Sequence, residues 1–529
     1  KLWYWNCLPR YRYFLKNIKC ARKVQEDILL GSIKRNRDTE FGKEYHFRDI
    51  DSYKKFQSQV PIKTYDDYRP FIKRIQAGDD NILTKERVGL LEPTGGSSGG
   101  TKLIPYTLSL KNEFLSAIGP WVVNMMQHHP GMIKGRSYWT ITPPVSRSKG
   151  KENAIPVGFE DDFEYFGSIG KFLRFNSIIK NNIREIKDVD HFMYVTACSL
   201  LRANDLTFVS IWNPALWTLL IEYIQTFPQK MITGLKNGIP GFVRPSVRRA
   251  EEVEDCMKLA ASLRYEAIWK GLSLISCWMD NAAGFHAHKL KEYFPTIKFQ
   301  NKGLLATESV MTIPWEEACG NIPAYTSHFL EFLDTATGSV KLIDELIEHQ
   351  EYTFVITAGA GLYRYNIGDK AKVEGFYEGL PILKFIGREK LSDIVGEKLD
   401  DAFVFQSITG VLREFPIAHD FIMLSSEISY AGGWYVLYIQ SHHEVQRQSL
   451  LDFRQKLESR LKENFHYRHA LDIHQLKPLR IFLVKNDAKA VYMNRCIKEG
   501  QKLGDIKPSY LDNRDAWSNY FQGEMLPVS

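Results

Sequence analysis

Apolar residues near the start of the chain recur at helical spacing. Phe14, Ile18, Ala21, Val24 and Ile28 share one face of a 3.6-residue repeat, which predicts a helix over residues 10–36. Short helices and loops are expected through residues 49–53. A second helical pattern covers residues 108–127 and is entered at Thr107 or Ser109, either of which can cap the first turn through its hydroxyl. The run Ser137-Tyr-Trp-Thr-Ile-Thr, stopped by Pro143-Pro144, reads as a buried strand. From 154 to 300, helical segments alternate with short apolar runs at 206–212 and 272–277. This alternation predicts an α/β body with mixed or largely parallel sheets. Residues 327–334 and 352–357 are strand-like. After Gly387-Arg388 the character changes. Apolar runs at 421–424, 434–439 and 481–484 and a helix at 445–464 predict a compact βαβ-like unit. The expected organisation is a large N-terminal body at 1–389 and a small C-terminal domain at 390–529, with the boundary near Lys390.

At 529 residues the chain is too long for one ordinary core, which agrees with more than one domain. With 44% hydrophobic and 25% charged residues it has globular rather than disordered composition. No apolar run approaches the roughly 18 residues of a membrane span. The seven cysteines are scattered, with no Cys-x-x-Cys pair. That favours reduced thiols and a cytoplasmic setting over a zinc site or a disulfide framework. The net charge of +7 is concentrated at the start, where Lys1, Arg10, Arg12, Lys16, Lys19, Arg22 and Lys23 precede the first acid, Glu26. The rest of the chain is close to neutral, which argues against a general nucleic-acid surface. Trp3, Tyr4, Trp5, Tyr11, Tyr13 and Phe14 are interleaved with those cations. Two readings fit: a helix in weak contact with a membrane surface, or an amphipathic helix packed on the body with its charges in water. The second is favoured.

The most distinctive stretch is Thr94-Gly95-Gly96-Ser97-Ser98-Gly99-Gly100-Thr101-Lys102. Its glycines can take backbone conformations closed to other residues, so that their N–H groups converge on one anion. Ser97 and Ser98 add hydroxyl donors and Lys102 a mobile positive charge, the equipment for holding a polyphosphate. Three readings of these residues compete. A flexible surface linker has the same composition. The nucleotide loop of P-loop NTPases requires Lys directly after its last glycine and then Ser or Thr, whereas here Gly100 is followed by Thr101-Lys102-Leu103. Gly95-Gly96-Ser97-Ser98-Gly99 also satisfies Gly-x-Ser-x-Gly, the nucleophile elbow of serine hydrolases. That elbow runs directly into a helix, which Gly99, Gly100 and Pro105 oppose by about 1 kcal/mol per glycine and about 3 for proline.

The stretch resembles the Thr-Ser-Gly-Thr-Thr-Gly-x-Pro-Lys loop of the adenylate-forming enzymes, the superfamily of acyl-CoA synthetases, peptide-synthetase adenylation domains and luciferases. Residues 94–102 align with it without a gap, Gly95 standing at its serine and Thr101 at its proline. Gly361-Leu-Tyr-Arg-Tyr-Asn-Ile-Gly-Asp369 contains the superfamily's Tyr-Arg-x-Gly-Asp pattern with a longer spacing. Its full form resembles the plant auxin-responsive acyl acid amido synthetases and their bacterial relatives, which share a Phe-Glu-Phe strand like that at 327–334. Taken alone, Gly368-Asp369 would read as a turn. The resemblance implies that Asp369 accepts both ribose hydroxyls of ATP, a task suited to two carboxylate oxygens, with Tyr363 in the same site. Ala306-Thr307-Glu308 resembles the end of the superfamily's Tyr-Gly-x-Thr-Glu, with Leu304 and Leu305 in place of tyrosine and glycine. This implies Glu308 beside magnesium and Thr307 near the α-phosphate; by themselves Thr307-Glu308 would start a helix. Residues 385–398 resemble the hinge motif Gly-Arg-x-Asp, which implies Arg388 at the nucleotide and the hinge at Lys390; otherwise they form a charged turn. Lys398 recurs in the amido synthetases. Gly504-Asp505-Ile506-Lys507-Pro508 falls where the superfamily places a C-terminal catalytic lysine, with Lys502 as competitor and a surface lysine as the plain alternative.

Other features carry less. His286-Ala-His288 would put two ligands on one strand face but lacks a third. Gly158-Phe-Glu-Asp-Asp162 reads as a solvated loop, and the basic residues 147–151 as an exposed one. Ser210-Ile-Trp-Asn-Pro214 has the Trp and Asn beside proline that often line pockets.

The resemblance thus implies an ATP- and magnesium-dependent enzyme with a large α/β body and a small C-terminal lid. A carboxylic acid attacks ATP to give an acyl-adenylate and pyrophosphate, and an amine, such as that of an amino acid, then takes the acyl group. Ser97, Ser98 and Lys102 would hold the outer phosphates and Lys507 the reacting carboxylate. Within the same class, a ligase using coenzyme A is the rival; outside it, a serine hydrolase built on Ser97 or a binding protein without turnover.

Overall fold

The computed structural model describes the chain except residues 1, 95–101, 140–154, 158–175, 180, 187, 213, 259–264, 281, 389–390, 393–398, 430–431, 442, 444, 473–475, 500, 502–505, 507–508, 515 and 528–529. Two compact units divide in sequence between Phe385 and Ile386.

The larger unit begins with two helices, Leu2–Asn17 and Ala21–Asn36, joined by a short 3-10 turn, Ile18–Cys20. The sequence pattern predicts one helix here. It is broken where Asn17 bonds its side-chain amide back to the Tyr13 carbonyl (2.8 Å) and its backbone leaves the helical region. Asparagine competes for backbone partners in this way. Trp3, Cys7, Tyr11 and Phe14 form the buried face of the first helix. Phe14 and Tyr11 stack on Trp315 with ring centroids 5.0 and 5.9 Å apart. The apolar face is therefore committed to the core, as the packed-helix reading expects, while Trp5, Tyr13 and the cations Arg12, Lys16 and Lys19 face outward.

This helix packs on Leu108–His128. The cap of that helix is Thr107, whose hydroxyl accepts the Leu110 N–H at 3.0 Å; Ser109 instead bonds Glu86. Next comes a parallel sheet whose strands Arg136–Trp139, Leu206–Ser210, Leu274–Cys277 and Lys298–Asn301 lie side by side in chain order. Helices such as Val189–Arg202, Pro214–Thr226 and Ala282–Tyr293 make the crossovers. Leu206–Ser210 and Leu274–Cys277 are buried at every residue, because interior parallel strands are covered on both faces. His286 and His288 lie on the crossover helix Ala282–Tyr293 rather than on a strand, which corrects the sequence expectation. Among the described residues no group of three or more potential metal ligands occurs.

A five-stranded sheet completes the unit, in the order Val340–Lys341, Phe329–Asp334, Glu351–Ala358, Leu362–Tyr377 and Leu380–Arg388. The smaller unit is α+β. Its sheet runs Leu511–Asp512, Phe421–Ser429, Gly432–Gln440, Leu476–Val484 and Gly523–Met525. Gly432–Gln440 and Leu476–Val484 are parallel, with helices Arg447–Leu461 and Phe465–Asp472 between them, which is the expected βαβ unit. Among the described residues no helix is long and apolar enough to cross a membrane.

Candidate functional site

The glycine stretch joins two paired strands. Leu90–Thr94 and Lys102–Tyr106 run antiparallel, with Thr94 opposite Lys102. Gly95, Gly96, Ser97, Ser98, Gly99 and Gly100 lie outside the described residues, as does the Thr94 side chain, but the chain re-enters a strand, not a helix, at Lys102. A nucleophile elbow and a P-loop both lead into a helix. The strand at Lys102 argues against the serine hydrolase reading of Ser97, and residues 95–101 stand in sequence between two paired strands.

Lys102 stands at the foot of the hairpin. Its Nζ donates to the Tyr365 hydroxyl at 3.3 Å and lies 5.5 and 5.9 Å from the ring centroids of Tyr65 and Tyr365. Tyr65 opens the helix Tyr65–Ala77, and its hydroxyl receives the Leu103 N–H at 2.6 Å, which ties that helix to the second hairpin strand. Burial raises the Tyr65 phenol, and the negative charge of Glu308 acts in the same direction.

Ala306, Thr307 and Glu308 form a tight turn, not the start of a helix. Leu305 bridges Val310, the Ala306 N–H donates to the Ser309 carbonyl at 2.9 Å, and the Leu304 N–H donates to the Thr312 hydroxyl at 2.8 Å. Glu308 is buried, whereas Ala306 and Thr307 are partly exposed. The turn depends on Gly303, where a Cβ would sit 2.0 Å from the Thr312 carbonyl oxygen. Gly303→Ala should therefore displace the turn and reduce, by an order of magnitude or more, the adenylation that the sequence resemblance implies. Pyrophosphate exchange measured beside a melting curve checks this; normal exchange would contradict it.

The motif from Gly361 to Asp369 lies almost wholly on the strand Leu362–Tyr377, which is interrupted twice. Its pairing with Glu351–Ala358 shifts register between Ile356 and Ala358 and again between Thr353 and Val355. At the first break Arg364 adopts a left-handed conformation (φ 49°), and within the second Gly368 has φ 80° and donates its N–H to the Asn366 side chain at 2.9 Å. Such bulges re-aim side chains. Asp369, also within the second, is fully buried.

Tyr363 does not face the site, contrary to the sequence expectation. It is fully buried, its hydroxyl donates to the Leu83 carbonyl at 3.0 Å, and its ring packs on Phe41 and Phe47. Its backbone exchanges hydrogen bonds with the Tyr68 hydroxyl. Tyr365 supplies the contact with Lys102 instead. Arg364 is also internal: it holds both oxygens of the buried Glu331 at 3.0–3.1 Å and donates to the carbonyls of Gln57 and Val60. Glu331 further accepts the Tyr53 hydroxyl at 2.9 Å.

Arg388 ends the strand Leu380–Arg388, but its side chain lies outside the described residues, as do Lys390, Lys398, Lys502 and Lys507. Sequence reasoning missed Tyr65, Tyr365 and Lys302 altogether. The last is a buried lysine whose Nζ donates to Ser210 Oγ at 2.9 Å, and burial pushes it down to about 7. Tyr365 had a signal, since it stands within the motif from Gly361 to Asp369.

Residues 10–299 match the GH3 family N-terminal domain, 322–388 its central domain and 407–515 its C-terminal domain. The chain belongs to the GH3 family. Among curated relatives, indole-3-acetic acid-amido synthetase GH3.15 of Arabidopsis thaliana is 23% identical, over 96% of this chain and 93% of its own length. Indole-3-acetic acid-amido synthetase GH3.4 of the same plant is 25% identical over 92% and 88%. Among solved structures, the AtGH3.15 acyl acid amido synthetase in complex with 2,4-DB superposes with a TM-score of 0.81 at 20% identity, covering 96% of this chain and 94% of that one. A 2-hydroxyisobutyryl-CoA ligase in its postadenylation state gives 0.54 at 12% identity, covering 92% of each. This GH3 chain therefore has the fold that the first of these shares with adenylate-forming ligases, including the large α/β body and smaller α+β unit expected from its sequence.

Proposed function

We propose that this GH3 chain couples a carboxylic acid to an amine by way of an acyl-adenylate, as an acyl acid amido synthetase. The acid attacks the α-phosphate of ATP, forming a C–O–P linkage as the bond to pyrophosphate breaks. The amine of an acceptor, an amino acid by analogy with the relatives' names, then displaces AMP and leaves an amide. Splitting the reaction replaces a carboxylate, a poor electrophile, by a carbonyl with a good leaving group. The observation that carries this reading is the meeting of Lys102 with Tyr365: it joins the foot of the glycine hairpin to the Gly361–Asp369 strand from a distant part of the chain.

The residues fit a magnesium-bound triphosphate. Lys102 supplies a cation next to the glycine connection, and Glu308, whose charge is felt at Tyr65, supplies a hard carboxylate oxygen. In this assignment Gly95, Gly96, Gly99 and Gly100 lend backbone N–H groups, and Thr94, Ser97, Ser98 and Lys102 hold the outer phosphates. Glu308 would hold magnesium, which neutralises phosphate charge when bound. Thr307 and Ala306 border the α-phosphate, Asp369 takes the ribose, and Arg388 lies at the nucleotide. Lys507 is assigned the charge that builds between carboxylate and α-phosphate.

Pyrophosphate exchange over a panel of aromatic, fatty and hydroxy acids, followed by acceptor profiling, tests the reading. Exchange with at least one acid and amide formation with an amino acid are expected. Turnover with coenzyme A and no amine would overturn the amide step; absence of exchange with every acid would overturn the whole.

A further inference from the structure

Open α/β sheets bind ligands beyond the carboxyl ends of their parallel strands. In the body of this chain those ends carry Ser210 and Trp212 on and after the second strand, Trp278 after the third, and Lys302 directly after the fourth, Lys298–Asn301. Lys302 is only 3% exposed. Its Nζ uses one donor on Ser210 Oγ and lies 4.7 and 5.1 Å from the ring centroids of Trp212 and Trp121. Among the described residues it has no carboxylate partner.

An ammonium carries three donors, and lysine is almost never fully buried unless paired. Indole faces attract a cation but offer it no lone pair in the ring plane. A methionine would fill the same space at less cost. The lysine is also held firmly: its backbone N–H donates to the Cys277 carbonyl at 2.9 Å, and the turn bearing Thr307 and Glu308 begins two residues later, at Leu304. A group so placed, close in sequence to the turn bearing Thr307 and Glu308 and with no counter-charge among the described residues, fits a site completed by ligand. Burial lowers the charge on Lys302, and an anion placed beside it would favour the ammonium again.

We propose that Lys302 is a specificity-determining residue of the acyl pocket, donating to a second carboxylate on the acid to be activated, whose apolar body lies against Trp121 and Trp212. This rests on the adenylation reading and narrows its substrate class to dicarboxylic acids.

The test is pyrophosphate exchange with aromatic and straight-chain monoacids, each beside its dicarboxylic counterpart. Wild type should favour at least one dicarboxylate over its monoacid by about 10- to 100-fold in kcat/KM, the effect of one charge-assisted hydrogen bond. Lys302→Met should erase that preference through KM for the acid, with KM for ATP and exchange on monoacids retained. Ser210→Ala, which frees the ammonium without removing it, should shift the same preference by a smaller factor and decides the matter if Lys302→Met does not fold. The proposal is overturned if wild type prefers monoacids throughout, or if the variants leave the ranking of acids unchanged. Absence of exchange with any acid would instead remove the activity on which it stands.

Discussion

Glu308→Gln should slow pyrophosphate exchange by about 10²- to 10³-fold, the usual effect of losing one electrostatic contact made at the reacting centre. Glutamine keeps the shape of glutamate, so the turn closed by Leu305 and Val310 and by the Ala306–Ser309 hydrogen bonds should form as before. What changes is charge at a buried position beside Tyr65. If the carboxylate holds magnesium, the variant should need a higher magnesium concentration for half-maximal exchange, and saturating metal should restore part of the rate. Circular dichroism and melting should be close to wild type. A magnesium titration superimposable on wild type would remove Glu308 from the metal site, whatever the rate.

Arg364→Met should destabilise the larger unit by about 3–5 kcal/mol, because it leaves one half of a buried ion pair. Glu331 is fully buried, and burial already pushes its carboxyl up against the opposing pull of Arg364. Without the guanidinium, Glu331 must take up a proton or remain as an unpaired charge. The Gln57 and Val60 carbonyls would also lose their donor. The same substitution disturbs the left-handed bulge between Tyr363 and Tyr365, so Lys102 would lose its partner and exchange should fall together with stability. Urea denaturation of Arg364→Met, of Glu331→Leu and of the double variant checks the account. The double variant should lie closer to wild type than either single one, since replacing both partners removes the unpaired charge. Additive losses would show that the pair is not the cause.

Much of the body was legible because periodicity and capping are local properties. Leu108–His128 was expected at residues 108–127 with Thr107 as one of its possible caps, and the strands Leu206–Ser210 and Leu274–Cys277 fall within the apolar runs assigned to them. The βαβ crossover between Gly432–Gln440 and Leu476–Val484 was likewise visible in the alternation of apolar runs and a helix. The long hairpin of Leu362–Tyr377 and Leu380–Arg388 was not, because its bulges interrupt the two-residue alternation that marks a strand.

The site divides in the same way. Residue order alone placed Lys102, Glu308 and Asp369 as candidates and excluded a P-loop by the position of one lysine. It could not tell that Tyr363 turns into the core while Tyr365 meets Lys102, since both are tyrosines two apart on one strand and only long-range packing against Phe41, Phe47 and Tyr68 separates them. Nor could it find Lys302, whose character comes from Ser210, Trp121 and Trp212, all far away in sequence. The sequence by itself determined many of the elements, the fold class and the family chemistry, because these follow from local propensity and from motifs read in line. Only the tertiary structure decided which charged and aromatic side chains are paired and which face the site, because burial and electrostatics depend on neighbours that the chain brings together only when it folds.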